Sequence, residues 1–249
     1  MSDDPDHTRR WLINASGAVI LSNVLAGGQS HAQVPTAKTQ DPDGSAVDAP
    51  ISPVTTRLCD YVANTLDRDM PPEVVAKTKL HTLDTIAAMV SGSRLKAGEM
   101  AARYVDSLGG KPQATVIGTG ILTSAVNAAL ANGMAAHGDE TDDSHLRGRF
   151  HPGCGIVPAA LATAELADRN GNDLLRAVAL GYDIGARLTL ALGFGKIYSE
   201  RHSTHSLSTN FGAAAAASAM LCLDARGVRH AFSFAAQQAS GVPYWEQRP

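Results

Sequence analysis

A chain of 249 residues with 44% hydrophobic content is long enough to bury a substantial core, as one domain or one and a half. Its net charge of -3, with no lysine or arginine run, excludes an electrostatic nucleic-acid binder. No apolar run reaches the roughly 18 residues of a membrane span, and an aromatic content of 5% beside abundant Ala and Gly favours closely packed helices over a β-sandwich.

The first segment reads as an address. Thr8-Arg9-Arg10-Trp11-Leu12-Ile13, a mildly apolar stretch from Ala15 to Gly28 and a Ser30-His31-Ala32 ending resemble a bacterial twin-arginine export signal over residues 1–32. Export predicts a periplasmic protein; without it the chain stays cytoplasmic. Residues 33–50, rich in Pro, Asp, Gly and Thr, predict an unstructured linker, so that folding begins near Ile51.

From Ser52 the pattern is helical. Val54, Leu58, Tyr61, Val62 and Leu66 recur at three- and four-residue steps, the apolar face of a first helix. Pro71-Pro72 opens a second, with Val74, Val75, Leu80, Leu83, Ile86 and Ala87 as its apolar side, ending near Gly92. A third runs from Ala97 to Leu108. Ala114 to Gly118 is the single strand-like piece. Thr123 or Ser124 caps a helix from Ala125 to about Ala136. Further helices are predicted over Ile156–Asp168, Asp173–Leu192, the small-residue run Phe211–Leu223, and onward from Asp224 to about Ser240. The chain is predicted all-α. Residues 242–249 have no capping logic and carry two aromatics, which predicts a helical domain interrupted before its natural end. Cys59 and Cys222 read as small core hydrophobes; Cys154 stays open because of its neighbours.

Two polar islands interrupt these apolar helices, and both fall in predicted loops, where scaffolds present functional groups. In the first, Asp139, Glu140, Asp142, Asp143 and His145 crowd into seven positions, with His137 before them and His151-Pro152-Gly153 after. Like charges packed this closely repel, so they stand in open water or around a site that uses them. A carboxylate bonded to a ring nitrogen fixes its tautomer and raises its basicity, and Asp142 and Asp143 are candidates for that service. His137 reads more simply as a core histidine. The Pro-Gly turn preorganises His151, which favours a functional ring. The second island holds Arg201, His202 and His205 just before a predicted helix start, where backbone N–H groups can hold a carboxylate. Arg147, Arg149 and Arg201 offer guanidinium groups for an anionic substrate. The acidic string 139–145 also resembles a hard-cation cluster, but no helical His-x-x-x-His pair, Cys-x-x-Cys or phosphate loop reinforces it, so no metal site is predicted.

At these residues the sequence resembles the MmgE/PrpD family. The resemblance is carried by Ala131-Asn132-Gly133-Met134-Ala135-Ala136-His137, Glu140-Thr141-Asp142-Asp143-Ser144-His145-Leu146, His151-Pro152-Gly153 and Val157-Pro158-Ala159-Ala160. Gly181-Tyr182-Asp183-Ile184-Gly185-Ala186-Arg187, Phe211-Gly212-Ala213-Ala214 and Gln238-Ala239-Ser240-Gly241 follow in the same order. That family includes 2-methylcitrate dehydratase, cis-aconitate decarboxylase and iminodisuccinate epimerase. The resemblance implies a large helical domain, here without its smaller α/β domain, a homodimer, and lyase chemistry on a small polycarboxylate of the 2-methylcitrate type with no organic cofactor. It assigns site roles to Glu140, Asp143, Ser144 and His151; Glu140 stands where Asp is usual and Ser144 where Thr is usual. A second active-site His falls to His202 or His205, with the spacing leaning to His202. Arg147, Arg149 and His145 are the expected substrate contacts. Two rivals compete: a divalent-metal hydrolase built on residues 139–145, and an inactive remnant of a longer enzyme.

Overall fold

A computed structural model describes residues 51–138, 140–239 and 241 of this chain. The expected export signal, the linker, Asp139 and residues 242–249 lie outside the described residues. Within those described run nine helices and one small sheet. In chain order they are α1 (Pro53–Ala63), α2 (Pro72–Gly92), α3 (Lys96–Leu108), β1 (Ala114–Thr115), β2 (Leu122–Thr123), α4 (Ala125–Ala136) and α5 (Gly153–Leu166). The remainder are α6 (Gly171–Leu192), α7 (Phe194–Ser199), α8 (Thr204–Met220) and α9 (Ala225–Gln238). The fold is all-α, as the sequence predicts. The expected strand Ala114–Gly118 shortens to two residues, paired antiparallel with Leu122–Thr123.

Helix starts follow their caps. The Ser52 hydroxyl accepts from the N–H groups of Val54 and Thr55, and Pro53 occupies the first turn, where no N–H partner is needed. Asn170 and Asp224 cap α6 and α9 the same way. The cap also explains the largest departure from expectation. Ser203 accepts from the His205 N–H and starts α8 at Thr204, seven residues before the predicted Phe211. The polar run 204–209 hides the helical period there, so His205 lies in the first turn of a helix while Arg201 and His202 stay in the connection before it. The short helix α7 also occupies chain that reads as loop.

Helix α2 corrects the expected apolar face. Leu80 and Leu83 are 60% and 65% exposed, while Thr78, Thr82, Thr85, Ala88 and Met89 are buried. Each threonine hydroxyl donates to a carbonyl one turn back (Thr78 to Val74, Thr82 to Thr78, Thr85 to His81, at 2.8–2.9 Å). The polar atoms are thereby satisfied inside the helix and the side chains pack by their methyl groups. Cys59 is buried as expected; Cys222 is exposed, its sulfur taking a 2.9 Å contact from Arg169 Nη2.

The main core gathers around α5. Ile156, Val157, Ala160 and Ala164 pack with Met89 of α2, Ala136 of α4, Ala177 and Val178 of α6, and Ala216 and Met220 of α8. Helices α6 and α8 cross at glycines: a Cβ on Gly212 would lie 2.6 Å from the Gly181 carbonyl oxygen and 2.7 Å from Ile156 Cδ1. Backbone cannot yield as a flexible side chain can. Gly212→Ala is therefore expected to cost about 1–3 kcal/mol of stability, the usual range for overpacking, seen as a lower urea midpoint. Gly195→Ala, where a Cβ meets nothing within 4 Å, should leave the midpoint unchanged or slightly raised.

Candidate functional site

The loop between α4 and α5 is held as a compact unit. His145 and Phe150 form an antiparallel bridge, His145 Nδ1 accepts from the Gly148 N–H at 2.9 Å, and Phe150 is buried. Accepting at Nδ1 places the neutral ring's proton on Nε2. His145, expected as a substrate contact, thus serves the turn. Two side chains of α8 clamp this loop: the Thr204 hydroxyl donates to the Arg149 carbonyl and the Thr209 hydroxyl to the His151 carbonyl at 3.2 Å. These bonds bring the first turn of α8 against His151.

The adjacent carboxylates Asp142 and Asp143 serve two different groups of donors. The Asp142 side chain is wholly buried, 3.0 and 3.1 Å from His137 Nδ1 and 3.6 Å from His151 Nδ1. The thiol of Cys154 also bonds to it. Burial alone would raise the Asp142 pKa, but the bonds from His137 and Cys154 and the charges on His137 and His151 outweigh it and hold the carboxyl below its ordinary range. Asp143 accepts from the Gly153 N–H at 2.8 Å and from the Tyr182 hydroxyl at 2.8 Å, and lies 2.9 Å from His81 Nδ1. It therefore caps α5 from ten residues away, where a negative charge is favoured. Gly153 must lack a side chain: its Cβ would meet Thr85 Oγ1, Asp143 Oδ1 and Tyr182 at 2.4–3.1 Å.

Three imidazoles line up on the Asp142 side. His151 lies 5.2 Å from His137 and stacks on His205 at 5.3 Å with a 22° interplanar angle. Ser144 Oγ is 3.4 Å from His151 Nδ1. The hydrogen bond to Asp142 raises the His137 pKa against the lowering effect of burial. Burial lowers that of His205, and the charges on His151 and His137 lower it further. One ring thus favours the imidazolium and another the neutral base. Burial, and then the neighbouring carboxylates, push the Cys154 thiol and the Tyr182 phenol upward, so both remain donors near neutral pH.

Of the residues singled out in the sequence, the structure brings together Asp142, Asp143, Ser144, His151 and His205. His202, the preferred second histidine, is exposed and is absent from this cluster. The early start of α8 is the reason, since it turns His205 and not His202 toward His151. Glu140 is exposed with φ 56°. Arg147 is exposed, and Arg149 lies over the Phe194 ring at 4.5 Å. Sequence reasoning missed His81 and Tyr182, which reach the site across α2 and α6, and it set His137 aside as a core histidine. His137 sits five residues before Asp142, but no helical period links a helix end to a following loop. His137, Asp142 and His151 also offer three ligand atoms within 4.8 Å of one another, a set able to hold a metal ion.

The His137–Asp142 pair fixes a pH window for stability. His137, raised above 6.5, contributes fully below that pH and loses its contribution as pH climbs through the higher folded value. Asp142, lowered below 3.8, contributes fully above that pH and loses its contribution as pH falls through the depressed value. Thermal midpoints in chelator-containing buffer should therefore decline on both sides of this window. His137→Gln should flatten the alkaline decline; an unchanged profile in that variant would remove the pair from the account.

Comparison with known proteins identifies the family. The model of the MmgE/PrpD N-terminal domain matches residues 56–249. The chain is 29% identical over 196 residues to the cis-aconitate decarboxylase-like protein oryM of Aspergillus oryzae, covering 76% of this chain and 41% of that protein. A cis-aconitate decarboxylase of Aspergillus terreus is 28% identical over 146 residues, 57% of this chain and 30% of that enzyme. The chain spans less than half the length of these relatives. With that domain's model matching well over half of the chain, from α1 onward, the chain belongs to the MmgE/PrpD family.

Proposed function

We propose that this chain carries the acid–base half of a lyase acting on a small tricarboxylate, with proton transfer by His151 and His205 at a carbon beside a carboxylate. The observation that carries it is the stack of His151 on His205, 5.3 Å between rings, above the buried carboxylate of Asp142. Two imidazoles from separate elements, one kept neutral by burial, suit removal of a proton by one and return by the other. Ser144 would orient water or substrate, Asp143 would hold the start of α5, and Glu140 would edge the site. Arg147 would attract carboxylates; Arg149, engaged by Phe194, and His145, engaged by its own turn, would play lesser parts. His202 would stand outside the chemistry.

The relatives named for cis-aconitate decarboxylation favour that reaction over dehydration of 2-methylcitrate as the first to assay. In decarboxylation the bond to the departing CO₂ breaks, its electron pair forms the new double bond, and the old double bond takes a proton from an imidazolium. The exposed stripe Leu80, Leu83 and Val90 on α2 supports a homodimer as part of this reading, and the paired arginines Arg9 and Arg10 support export to the periplasm.

Incubation with cis-aconitate in D₂O, read by NMR for product or for deuterium at carbon, tests the assignment. His151→Gln and His205→Gln should each lower the rate by about 10²–10⁴-fold, the usual contribution of a positioned acid or base, and His202→Gln should leave it unchanged. Full turnover in folded His205→Gln would overturn the pairing. A folded wild-type chain inert toward every tricarboxylate is the outcome expected of an inactive remnant.

A further inference from the structure

We propose that His137, Asp142 and His151 form a binding site for a first-row divalent transition metal of the Zn²⁺ type. The three residues come from different places, the end of α4, the following loop and the turn before α5, yet their ligand atoms lie within 4.8 Å of one another. The separations from Asp142 oxygens to the two Nδ1 atoms are 3.0, 3.1 and 3.6 Å. Tetrahedral zinc with bonds of about 2.0–2.2 Å sets neighbouring ligand atoms about 3.3–3.6 Å apart. The Asp142–His151 separation already matches that spacing, the Asp142–His137 separation is a few tenths of an ångström short of it, and the two imidazole nitrogens lie within 4.8 Å of each other.

The ligands are also held. The Asp142 side chain has no solvent exposure, the His151 ring stacks on His205, and the His151 carbonyl is bonded by Thr209. The donor set decides the class of ion. Two imidazoles and one carboxylate suit Zn²⁺ and its first-row neighbours, whereas Mg²⁺ and Ca²⁺ select oxygen ligands. Three protein ligands leave a further position open, as zinc sites that take a water or a substrate oxygen do. Binding requires a lone pair at each Nδ1. A neutral ring moves its proton from Nδ1 to Nε2, and a protonated His137 releases one proton to solvent. An ion held there occupies the Nδ1 of His151, so metal and proton transfer through that ring exclude one another; this consequence alone rests on the proposed function.

The test uses tag-free full chain, dialysed against chelator and titrated with Co²⁺, whose visible absorption strengthens in a tetrahedral site, followed by displacement with Zn²⁺. The expected result is saturation at one ion per chain, displacement by equimolar Zn²⁺ and indifference to excess Mg²⁺. His137→Gln, whose side chain is 46% exposed and so tolerates replacement, and Asp142→Asn should each weaken binding by at least about tenfold. His230→Gln, on the exposed side of α9, should bind as wild type. Absence of a saturable Co²⁺ spectrum, or unaltered binding in His137→Gln with its helical circular dichroism intact, would overturn the site. Zn²⁺ saturation with unchanged turnover would confirm the site and instead remove His151 from the chemistry.

Discussion

Two neighbouring carboxyl groups, Asp142 and Asp143, are both largely withdrawn from water and must both find hydrogen-bond donors, and much of the molecule is arranged around that demand. Adjacent side chains diverge, so one carboxylate faces His137, His151 and Cys154 while the other faces His81, Tyr182 and the first N–H of α5. Those partners come from α2, α5 and α6, from the C-cap of α4 and from the turn before α5. A buried carboxylate deprived of its donors is strongly destabilising, on the order of 3–5 kcal/mol. The loop carrying the pair is consequently pinned to four helices by polar bonds.

The apolar scaffold makes this possible by bringing backbones close. Alanine and glycine faces let α5, α6 and α8 approach within a short reach, with Gly181 and Gly212 at the crossing. Close helices place side-chain tips from distant parts of the chain within hydrogen-bond range. The threonine face of α2 follows the same logic: hydroxyls satisfied by their own helix pack as small apolar groups, and Thr85 sits against Gly153, whose missing side chain lets the start of α5 approach. Large apolar residues such as Leu80 and Leu83 are left outside.

On that scaffold the imidazoles acquire different characters. His137 borrows charge stabilisation from Asp142, whereas His205 loses affinity for its proton through burial first and then through the neighbouring imidazoles. Titratable groups whose surroundings push them apart divide acid and base roles between them. A residue's type is thus only part of its chemistry; the depth at which a helix sets it and the charge of its neighbours complete it.

Much of this was legible in the chain alone. Helix periodicity, Pro at first turns and Ser, Asn or Asp caps mark most element starts, because those signals act within a few residues. The run from His137 to Gly153 marked a candidate site, and the order of motifs placed the chain in its family. Local pattern was weaker where polar residues entered helices, as in the Thr face of α2 and residues 204–209 of α8. What only the tertiary structure decided was which distant rings meet: His205 and not His202 beside His151, His137 in the site and not in the core, and His81 and Tyr182 on Asp143. Those pairings depend on how α2, α6 and α8 pack against α5, and a turn's difference in where a helix begins swings a side chain to another face.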